Sequence, residues 1–337
     1  MWHQSQSLML LSLIAISYPI TTISKADSKI ITYESKSPYE FSELINQLDN
    51  SIKTKVSGEL TMPVQYTKNK QFPLVIVLPD AFGFENHHQN YLNNLNQQGI
   101  ATFKVDSFKS RHIDPKKMVA TTVSPEMMAS DAYFALKTLS KHPNIDPNKI
   151  AVMGWGSGGA AALYSAWTPA KEAFLTKNAK GFAAHLAIYP PCLLFPTKHT
   201  WQKKPIKIII GEKDQSTPAS LCKELSQQMK KSGVPIEIDI LPNAYHSFDS
   251  ERPLQTYKKE HTFTQCRFTL LPDGVALHEK TGIRMIDPFF RLAAFYACSE
   301  KKTVRSGMIP EAKKRSIEMT NKFFNQHLTT LPECPRF

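Results

Sequence analysis

Short runs of apolar residues alternate with longer segments of helical pattern from about residue 54 to residue 250. Runs of this length are typical of buried strands, and their alternation with helices predicts a mainly parallel sheet covered on both faces. We therefore expect an α/β protein with a doubly wound sheet. The predicted strands are 74–78, 101–105, 150–153, 183–188, 206–210 and 236–241.

Glycine and proline mark the ends of the segments between these strands and after them. The regular alternation stops near residue 250, and no shift in composition marks a linker. We expect a single domain over 27–337, with its core at 54–249 and a C-terminal extension at 250–337. The other predicted elements are helices at Glu85–Gln98, Pro125–Lys141 and Pro310–Leu328 and a hairpin at Arg267–His278, which turns at Pro272-Asp273-Gly274.

The first residues of the chain have a different pattern. An apolar run at 8–17 is followed by a polar segment and by Ser24-Lys25-Ala26, where small residues flank a lysine. This pattern predicts a signal peptide at 1–26 and export to the periplasm or the outside. The leader before the run holds no Lys or Arg, so a membrane anchor is the alternative, but the run is shorter than the ~20 apolar residues of a spanning helix.

Basic residues exceed acidic ones, and the formal net charge is +12. The first 26 residues hold one Lys and no acid, so the chain without them carries 12 − 1 = +11. The lysines are scattered in short clusters, which is typical of a solvated surface and not of a nucleic-acid site. We expect no nucleic-acid partner and no stable membrane insertion after cleavage, and the sequence leaves the oligomeric state open.

The chain has five cysteines, and export would permit disulfides. Cys192 lies just past one predicted strand and Cys222 lies in the helix after Asp214, so both should lie near one edge of the sheet, where a disulfide would brace the Asp214 loop; two buried thiols are the alternative. Cys266 and Cys298 flank the late part of the chain and would staple it. Because five is odd, at least one thiol stays free or pairs outside the chain; the fifth cysteine is Cys334.

No metal or cofactor site is indicated by the spacing of ligand-type residues. The cysteines form no CxxC motif and no Cys/His pattern typical of zinc. His87 and His88 are adjacent on a predicted helix and would point apart, so we expect them at the surface.

The segment 150–163 runs from a buried strand through Gly154-Trp155-Gly156-Ser157-Gly158-Gly159 into a helix. This context is typical of a nucleophile elbow, in which small residues stand two before and two after a nucleophile of positive φ. Gly154 and Gly158 satisfy that rule when Gly156 is the centre. A centre at Ser157 would put Trp155 at a flank. Gly156 therefore takes the nucleophile position, and Ser157 begins the helix with its N–H toward the site.

An acid and a histidine follow in the expected order. Asp214 comes after the strand at 206–210, and His246 comes after the strand at 236–241. Because the carboxyl ends of parallel strands meet at one edge of a sheet, both side chains should lie near the glycine turn. Alone, Asp214 would be a turn residue and His246 a structural one. Together with the turn they predict a catalytic acid and base in the chain order of α/β-hydrolases.

Over about residues 54–249 the chain resembles the dienelactone hydrolase family. This resemblance implies an α/β-hydrolase fold and hydrolysis of a small carboxylic ester or lactone without metal or cofactor. It also implies that Asp214 orients His246, that the N–H groups of Ala81 and Ser157 form an oxyanion hole, and that Asp80 stands near the nucleophile. The matching segments are Leu78–Gly83, Val105–Phe108 with Arg111, Ser130–Leu136, Val152–Gly159, Tyr189–Cys192, Gly211–Asp214 with Thr217-Pro218, and Ala244–Phe248.

The chain departs from this family at residue 156, where cysteine or serine is expected and glycine stands. Glycine offers no atom that can attack a carbonyl. Three outcomes follow: His246 activates water in a slower hydrolysis, Ser157 is recruited as nucleophile, or the protein binds a ligand without turnover. If only the attacking atom is missing, Gly156→Ser or Gly156→Cys should raise esterase activity.

Overall fold

The computed structural model of the chain describes residues 28–115, 117 and 122–329. The predicted signal peptide and Cys334 lie outside these residues. The strands are β1 (Ser28–Lys36), β2 (Lys53–Thr61), β3 (Phe72–Leu78), β4 (Ala101–Val105), β5 (Ile145–Trp155), β6 (His185–Ile188), β7 (Leu194–Pro196), β8 (Ile206–Gly211), β9 (Ile236–Leu241), β10 (Gln255–Thr262), β11 (Phe268–Leu270), β12 (Ala276–His278), β13 (Arg284–Met285) and β14 (Glu300–Ser306).

Helices lie between these strands and at the end of the described chain. Two short 3-10 helices cover Leu48–Asn50 and Lys109–Arg111. None of the helices in the described ranges is long and apolar enough to cross a membrane. The α-helices are α1 (Phe41–Asn46), α2 (Asn86–Gln97), α3 (Pro125–Leu139), α4 (Gly156–Tyr164), α5 (Thr168–Phe174), α6 (Ala219–Lys231), α7 (Pro288–Cys298) and α8 (Pro310–Leu328).

Eight strands form the main sheet in the order β1-β2-β4-β3-β5-β6-β8-β9. The pairs β1/β2 and β2/β4 are antiparallel, and the rest of the sheet is parallel. Strand β8 is buried along its whole length, because helices cover both faces of a parallel sheet. The α/β class and the mainly parallel sheet that the apolar pattern predicts are confirmed.

The sheet register brings four loops to one edge. Leu78 at the end of β3 lies opposite Gly154 in β5, and Gly211 at the end of β8 lies opposite Leu241 in β9. These strands run in the same direction, so the residues that follow them emerge side by side. This edge carries Asp80, Gly156, Asp214 and His246.

Local sequence signals explain where the helices begin. Ser124 caps α3 by accepting a hydrogen bond from the N–H of Met127 at 3.2 Å, and Pro125 takes the first helical position. Glu85, expected as the first residue of α2, is its N-cap, and the side chain of His88 completes a capping box. Helix α8 has the predicted bounds.

The C-terminal elements pack on the main sheet and its helices. The predicted hairpin is present as β11 and β12, and β11 also pairs with β7, so these strands form a second sheet with β13. Strand β14 reaches the site edge, where Ser306 forms a bridge with His246. Helix α8 packs against α2 and covers that helix.

Candidate functional site

The turn from β5 into α4 is built around glycines that are in close contact. A Cβ on Gly154 would lie 2.4 Å from the carbonyl of Gly158, and a Cβ on Gly158 would lie 2.2 Å from the carbonyl oxygen of Pro79. Gly156 has φ +48° and begins α4, while Ser157 lies within its first turn. The positive φ therefore falls at residue 156, where the pattern of small residues predicts it.

Asp214 and His246 meet beside this turn. The Nδ1 atom of His246 lies 2.7 Å from Oδ2 of Asp214. The other oxygen of Asp214 accepts hydrogen bonds from the N–H groups of Ser216 at 2.9 Å and Thr217 at 2.8 Å. The Asp214 side chain is fully buried, whereas the His246 side chain is 20% exposed. The carboxylate is thus held in one orientation, and the imidazole reaches solvent.

The Asp80 carboxylate fills the space above the glycine turn. Its Oδ1 accepts a hydrogen bond from the N–H of Ala81 at 2.6 Å, and the N–H of Ser157 acts on the same carboxyl group, where it favours the charged form and lowers the pKa. A Cβ on Gly156 would lie 1.9 Å from Oδ1 of Asp80. Both N–H groups predicted for an oxyanion hole therefore interact with a side chain of the protein itself. This occupancy was not expected from the sequence.

This contact corrects the expectation that only the attacking atom is missing at residue 156. Any side chain there must first push the Asp80 carboxylate off the N–H groups of Ala81 and Ser157. The carboxylate is the free end of a side chain and can rotate, so the change is not forbidden. It does mean that residue 156 and Asp80 compete for the same space.

The charges around His246 favour its protonated form. Burial opposes the imidazolium, but the charge and hydrogen bond of Asp214, together with the charges of Asp80 and Asp249, raise the pKa of His246 to about 9. Burial raises the pKa of Asp80, against the His246 charge and the two backbone N–H groups. The carboxyl groups around the site thus favour a proton on His246.

The comparison with known families decides the assignment of the chain. Residues 61–267, more than half of the chain, match the family described as the dienelactone hydrolase family. The chain belongs to that family. The glycine turn, Asp214 and His246 all lie within the matched residues.

Individual relatives are distant. A Yersinia pestis protein described as a candidate carboxymethylenebutenolidase is 25% identical over 203 residues, which is 57% of this chain and 73% of that protein. A Bradyrhizobium sp protein described as a candidate 2-oxo-3-(5-oxofuran-2-ylidene)propanoate lactonase is 21% identical over 196 residues, which is 55% of this chain and 78% of that protein.

A solved structure gives the fold independently. The crystal structure of a dienelactone hydrolase-like promiscuous phosphotriesterase from metagenomic libraries aligns with a TM-score of 0.54 and 16% identity. The alignment covers 89% of this chain and 98% of that one. The α/β-hydrolase fold that the sequence implied is confirmed.

A buried carboxylate that the sequence analysis missed lies beneath the site of this dienelactone hydrolase family member. Asp249 is fully buried and accepts hydrogen bonds from the hydroxyl of Tyr91 at 2.8 Å, Nε1 of Trp155 at 3.0 Å and the hydroxyl of Tyr189 at 3.0 Å. Trp155 immediately precedes Gly156, and the Tyr189 ring lies 5.1 Å from that of His246. Asp249 thus links Trp155, which precedes the glycine turn, to Tyr189, whose ring contacts that of His246.

His87 and His88 correct a further expectation, because neither lies at the surface. Both are buried, their rings are 3.9 Å apart, and the ring of His88 lies 4.2 Å from that of Trp155. Burial, and then the neighbouring His87, lower the pKa of His88 well below its ordinary value. Packing of α2 against the elbow covers the face that helical spacing alone assigns to solvent.

Two disulfides are present among the residues that the structure describes. Cys192 is bonded to Cys222 with Cα atoms 5.0 Å apart, and Cys266 is bonded to Cys298 with Cα atoms 4.9 Å apart. Both pairings follow the sequence-based expectation. The first joins the chain after β6 to α6, the helix that follows the Asp214 loop, so it ties the acid loop to the sheet.

Metal-ligating side chains do not cluster in the part of the chain that the structure describes. No group of three or more His, Cys, Asp and Glu residues there is arranged to hold a metal ion. Arg111, a landmark of the family resemblance, is engaged elsewhere in a buried ion pair with Asp131, with Nη1 and Oδ2 2.8 Å apart.

Proposed function

We propose that this protein hydrolyses carboxylic esters or lactones of small molecules at the edge where Asp214 and His246 meet. The 2.7 Å contact between His246 Nδ1 and Asp214 Oδ2, beside the glycine turn, is the observation that carries the proposal. Membership of the dienelactone hydrolase family supports the reaction class. The description of one relative as a lactonase favours lactones among the substrates.

The proposed roles follow from the geometry. Asp214 holds Nδ1 of His246 and stabilises the imidazolium, and in the neutral form of His246 the Nε2 atom can accept a proton. Because Gly156 supplies no attacking atom, His246 activates a water molecule. Ser157 contributes its backbone N–H, since its place in the first turn of α4 aims that group at the site.

The reaction is slow in this proposal because the oxyanion hole is filled. The carbonyl oxygen of an ester can reach the N–H groups of Ala81 and Ser157 only after the Asp80 carboxylate has moved aside. A site that lacks its nucleophile but keeps an open oxyanion hole retains about 10³–10⁴-fold of rate over water. Because Asp80 occupies the hole here, we expect turnover at or below this range.

Turnover of p-nitrophenyl acetate and of a five-membered lactone by the purified protein tests the proposal. His246→Gln should lower kcat/KM by about 10²-fold or more, because it removes the general base. His261→Gln is the matched control, since His261 is exposed on β10, and should leave the rate unchanged.

Two outcomes would change the proposed nucleophile or the proposed function. If Ser157→Ala abolishes turnover, Ser157 is the nucleophile and the turn adapts during catalysis. If the wild type and His246→Gln are equally inactive on both substrates, the protein is a ligand-binding member of the family, a role that the filled oxyanion hole would suit.

We also propose that residues 1–26 are a signal peptide and that the remainder forms one exported domain with its core at 54–249 and an extension at 250–337. The two disulfides support an oxidising compartment. N-terminal sequencing of secreted or periplasmic material should begin near Asp27. Material that still begins at Met1 would contradict the cleavage.

A further inference from the structure

Asp80 makes the contacts that an oxyanion makes in a hydrolase with a side-chain nucleophile. Its Oδ1 accepts the N–H of Ala81 at 2.6 Å and lies 1.9 Å from the position of a Cβ on Gly156, and the N–H of Ser157 acts on the same carboxyl group and lowers its pKa. The charge of His246 acts on this carboxyl group and lowers its pKa, against the effect of burial. A nucleophilic group, a two-donor hole and an acid–base histidine are thus present together, although the elbow itself carries glycine.

The position of the N–H groups decides which electrophile suits this carboxylate. Attack on an ester carbonyl needs the hole for the substrate oxygen, but Asp80 fills it. Attack on a saturated carbon develops no oxyanion at the attacked carbon, and it converts Asp80 into an ester whose own carbonyl oxygen can keep the hydrogen bond from the N–H of Ala81. The second step, hydrolysis of that ester, is the one that the two donors would stabilise.

From this arrangement we infer that Asp80 is a nucleophile toward electrophilic saturated carbon, and that the protein hydrolyses small epoxides to diols. This inference goes beyond ester and lactone hydrolysis. It rests on the proposed function only for the role of the Asp214–His246 pair as base in the second step.

In the first step a carboxylate oxygen of Asp80 forms a bond to an epoxide carbon. The ring C–O bond breaks with its electron pair on the epoxide oxygen, and the His246 imidazolium donates a proton to that oxygen. An epoxide suits the site because its leaving oxygen needs a proton, which the imidazolium holds at rest. The product is a hydroxyalkyl ester of Asp80 beside a neutral imidazole.

In the second step neutral His246 removes a proton from water, and the hydroxide attacks the carbonyl carbon of the Asp80 ester. The N–H groups of Ala81 and Ser157 hold the resulting oxyanion. On collapse the acyl C–O bond breaks, the leaving alkoxide takes a proton from His246, and the new carboxylic acid returns one to His246. The net reaction is epoxide plus water to diol, with Asp80 and His246 restored to their resting charges.

A single-turnover reaction with styrene oxide in heavy-oxygen water tests this route. The peptide that contains Asp80 should gain one heavy oxygen, because the light oxygen of the carboxylate leaves in the diol. Diol that carries heavy oxygen from the first turnover, with an unlabelled Asp80 peptide, would show direct attack by water and overturn the inference. Absence of any diol would overturn it as well.

Two substitutions separate this route from the proposed ester hydrolysis. Asp80→Asn and Asp80→Ala should lower diol formation by about 10³-fold or more, because each removes the nucleophile. Asp80→Ala should raise p-nitrophenyl acetate hydrolysis, because it empties the hole. The control Asp273→Asn, at the exposed hairpin turn, should change neither rate.

The ester assay and the diol assay test the two proposals separately. Ester hydrolysis without diol formation retains the proposed function and rejects the role of Asp80 as nucleophile. Diol formation that Asp80→Asn does not lower rejects that role too, and a circular dichroism spectrum equal to wild type excludes misfolding as the cause of any lost activity.

Discussion

The Asp80 carboxylate lies where the side chain of residue 156 would begin, since a Cβ on Gly156 would be 1.9 Å from Asp80 Oδ1. The Asp80 carboxylate can therefore occupy this position only while residue 156 has no side chain. The glycine makes room for the carboxylate on the N–H groups of Ala81 and Ser157, and the carboxylate occupies the place that a nucleophile would need.

This relationship predicts which substitutions give residue 156 a nucleophilic side chain that can reach the substrate. Gly156→Ser alone should raise ester hydrolysis little, because the new side chain meets the Asp80 carboxylate and its positive φ costs about 1–3 kcal/mol. Gly156→Ser with Asp80→Ala should give about 10²-fold higher kcat/KM than the single variant, since His246 can then deprotonate the serine.

The control for this pair is Asp80→Ala alone, which separates an emptied oxyanion hole from a new nucleophile. Equal rates for Asp80→Ala and the double variant, with both proteins folded, would mean that a serine at 156 does not reach the substrate. Burst kinetics with p-nitrophenyl acetate in the double variant would indicate the covalent route.

The charges around His246 predict the pH dependence of ester hydrolysis. A pKa raised to about 9 means that the neutral base forms only as the pH rises, so kcat/KM should increase up to that region. Asp80→Asn removes one negative charge and should move the midpoint to lower pH. A profile that already levels off near the ordinary histidine value of 6.5 in the wild type would contradict this assignment.

The same shift links pH to stability. Because the folded-state pKa of His246 lies above its ordinary value of 6.5, its contribution to stability is complete below that value. The contribution is lost as the pH rises through about 9. In His246→Gln the free energy of unfolding from urea titrations should vary less between these two pH values than in the wild type.

The three hydrogen bonds that Asp249 accepts predict that its removal destabilises the folded protein. Asp249→Ala leaves the hydroxyls of Tyr91 and Tyr189 and Nε1 of Trp155 without their acceptor. The free energy of unfolding should fall by about 3 kcal/mol or more, because each unsatisfied buried donor costs about 1–3 kcal/mol. Asp249→Asn keeps an acceptor and should cost less; equal urea midpoints for Asp249→Ala and wild type would refute the network.

The two disulfides form a matched pair for a further prediction. Their sequence separations are 30 and 32 residues, so removing either should lower the free energy of unfolding by a similar amount, about 3–4 kcal/mol. The Cys192→Ala/Cys222→Ala variant should also lower ester hydrolysis, because its disulfide ties down α6 after the Asp214 loop. The Cys266→Ala/Cys298→Ala variant should keep that rate under conditions where both remain folded.

Much of the fold could be predicted because continuous apolar runs are diagnostic of buried parallel strands. Strand β9 and helix α8 have the predicted bounds, and the edge that joins Asp214 to His246 follows from strand direction alone. Strand β10 and helix α7 were not predicted, since β10 is mostly exposed and α7 exposes several of its apolar residues, so neither has a clear pattern.

The site was less predictable where it depends on side-chain rotation and on packing between distant elements. The turn of Asp80 toward Gly156 depends on rotation, and no spacing in the sequence reports it. Asp249 looks like a polar loop residue until Tyr91 and Tyr189 surround it. Its distance of three residues from His246 was the one available signal.

A double-mutant cycle at Asp214 and His246 tests the central claim most directly. It compares kcat/KM for p-nitrophenyl acetate in the wild type, Asp214→Asn, His246→Gln and the variant with both changes. If the 2.7 Å pair acts as one catalytic unit, the double variant should lose about as much activity as His246→Gln alone. Losses that multiply, or single variants as active as the wild type, would contradict the account.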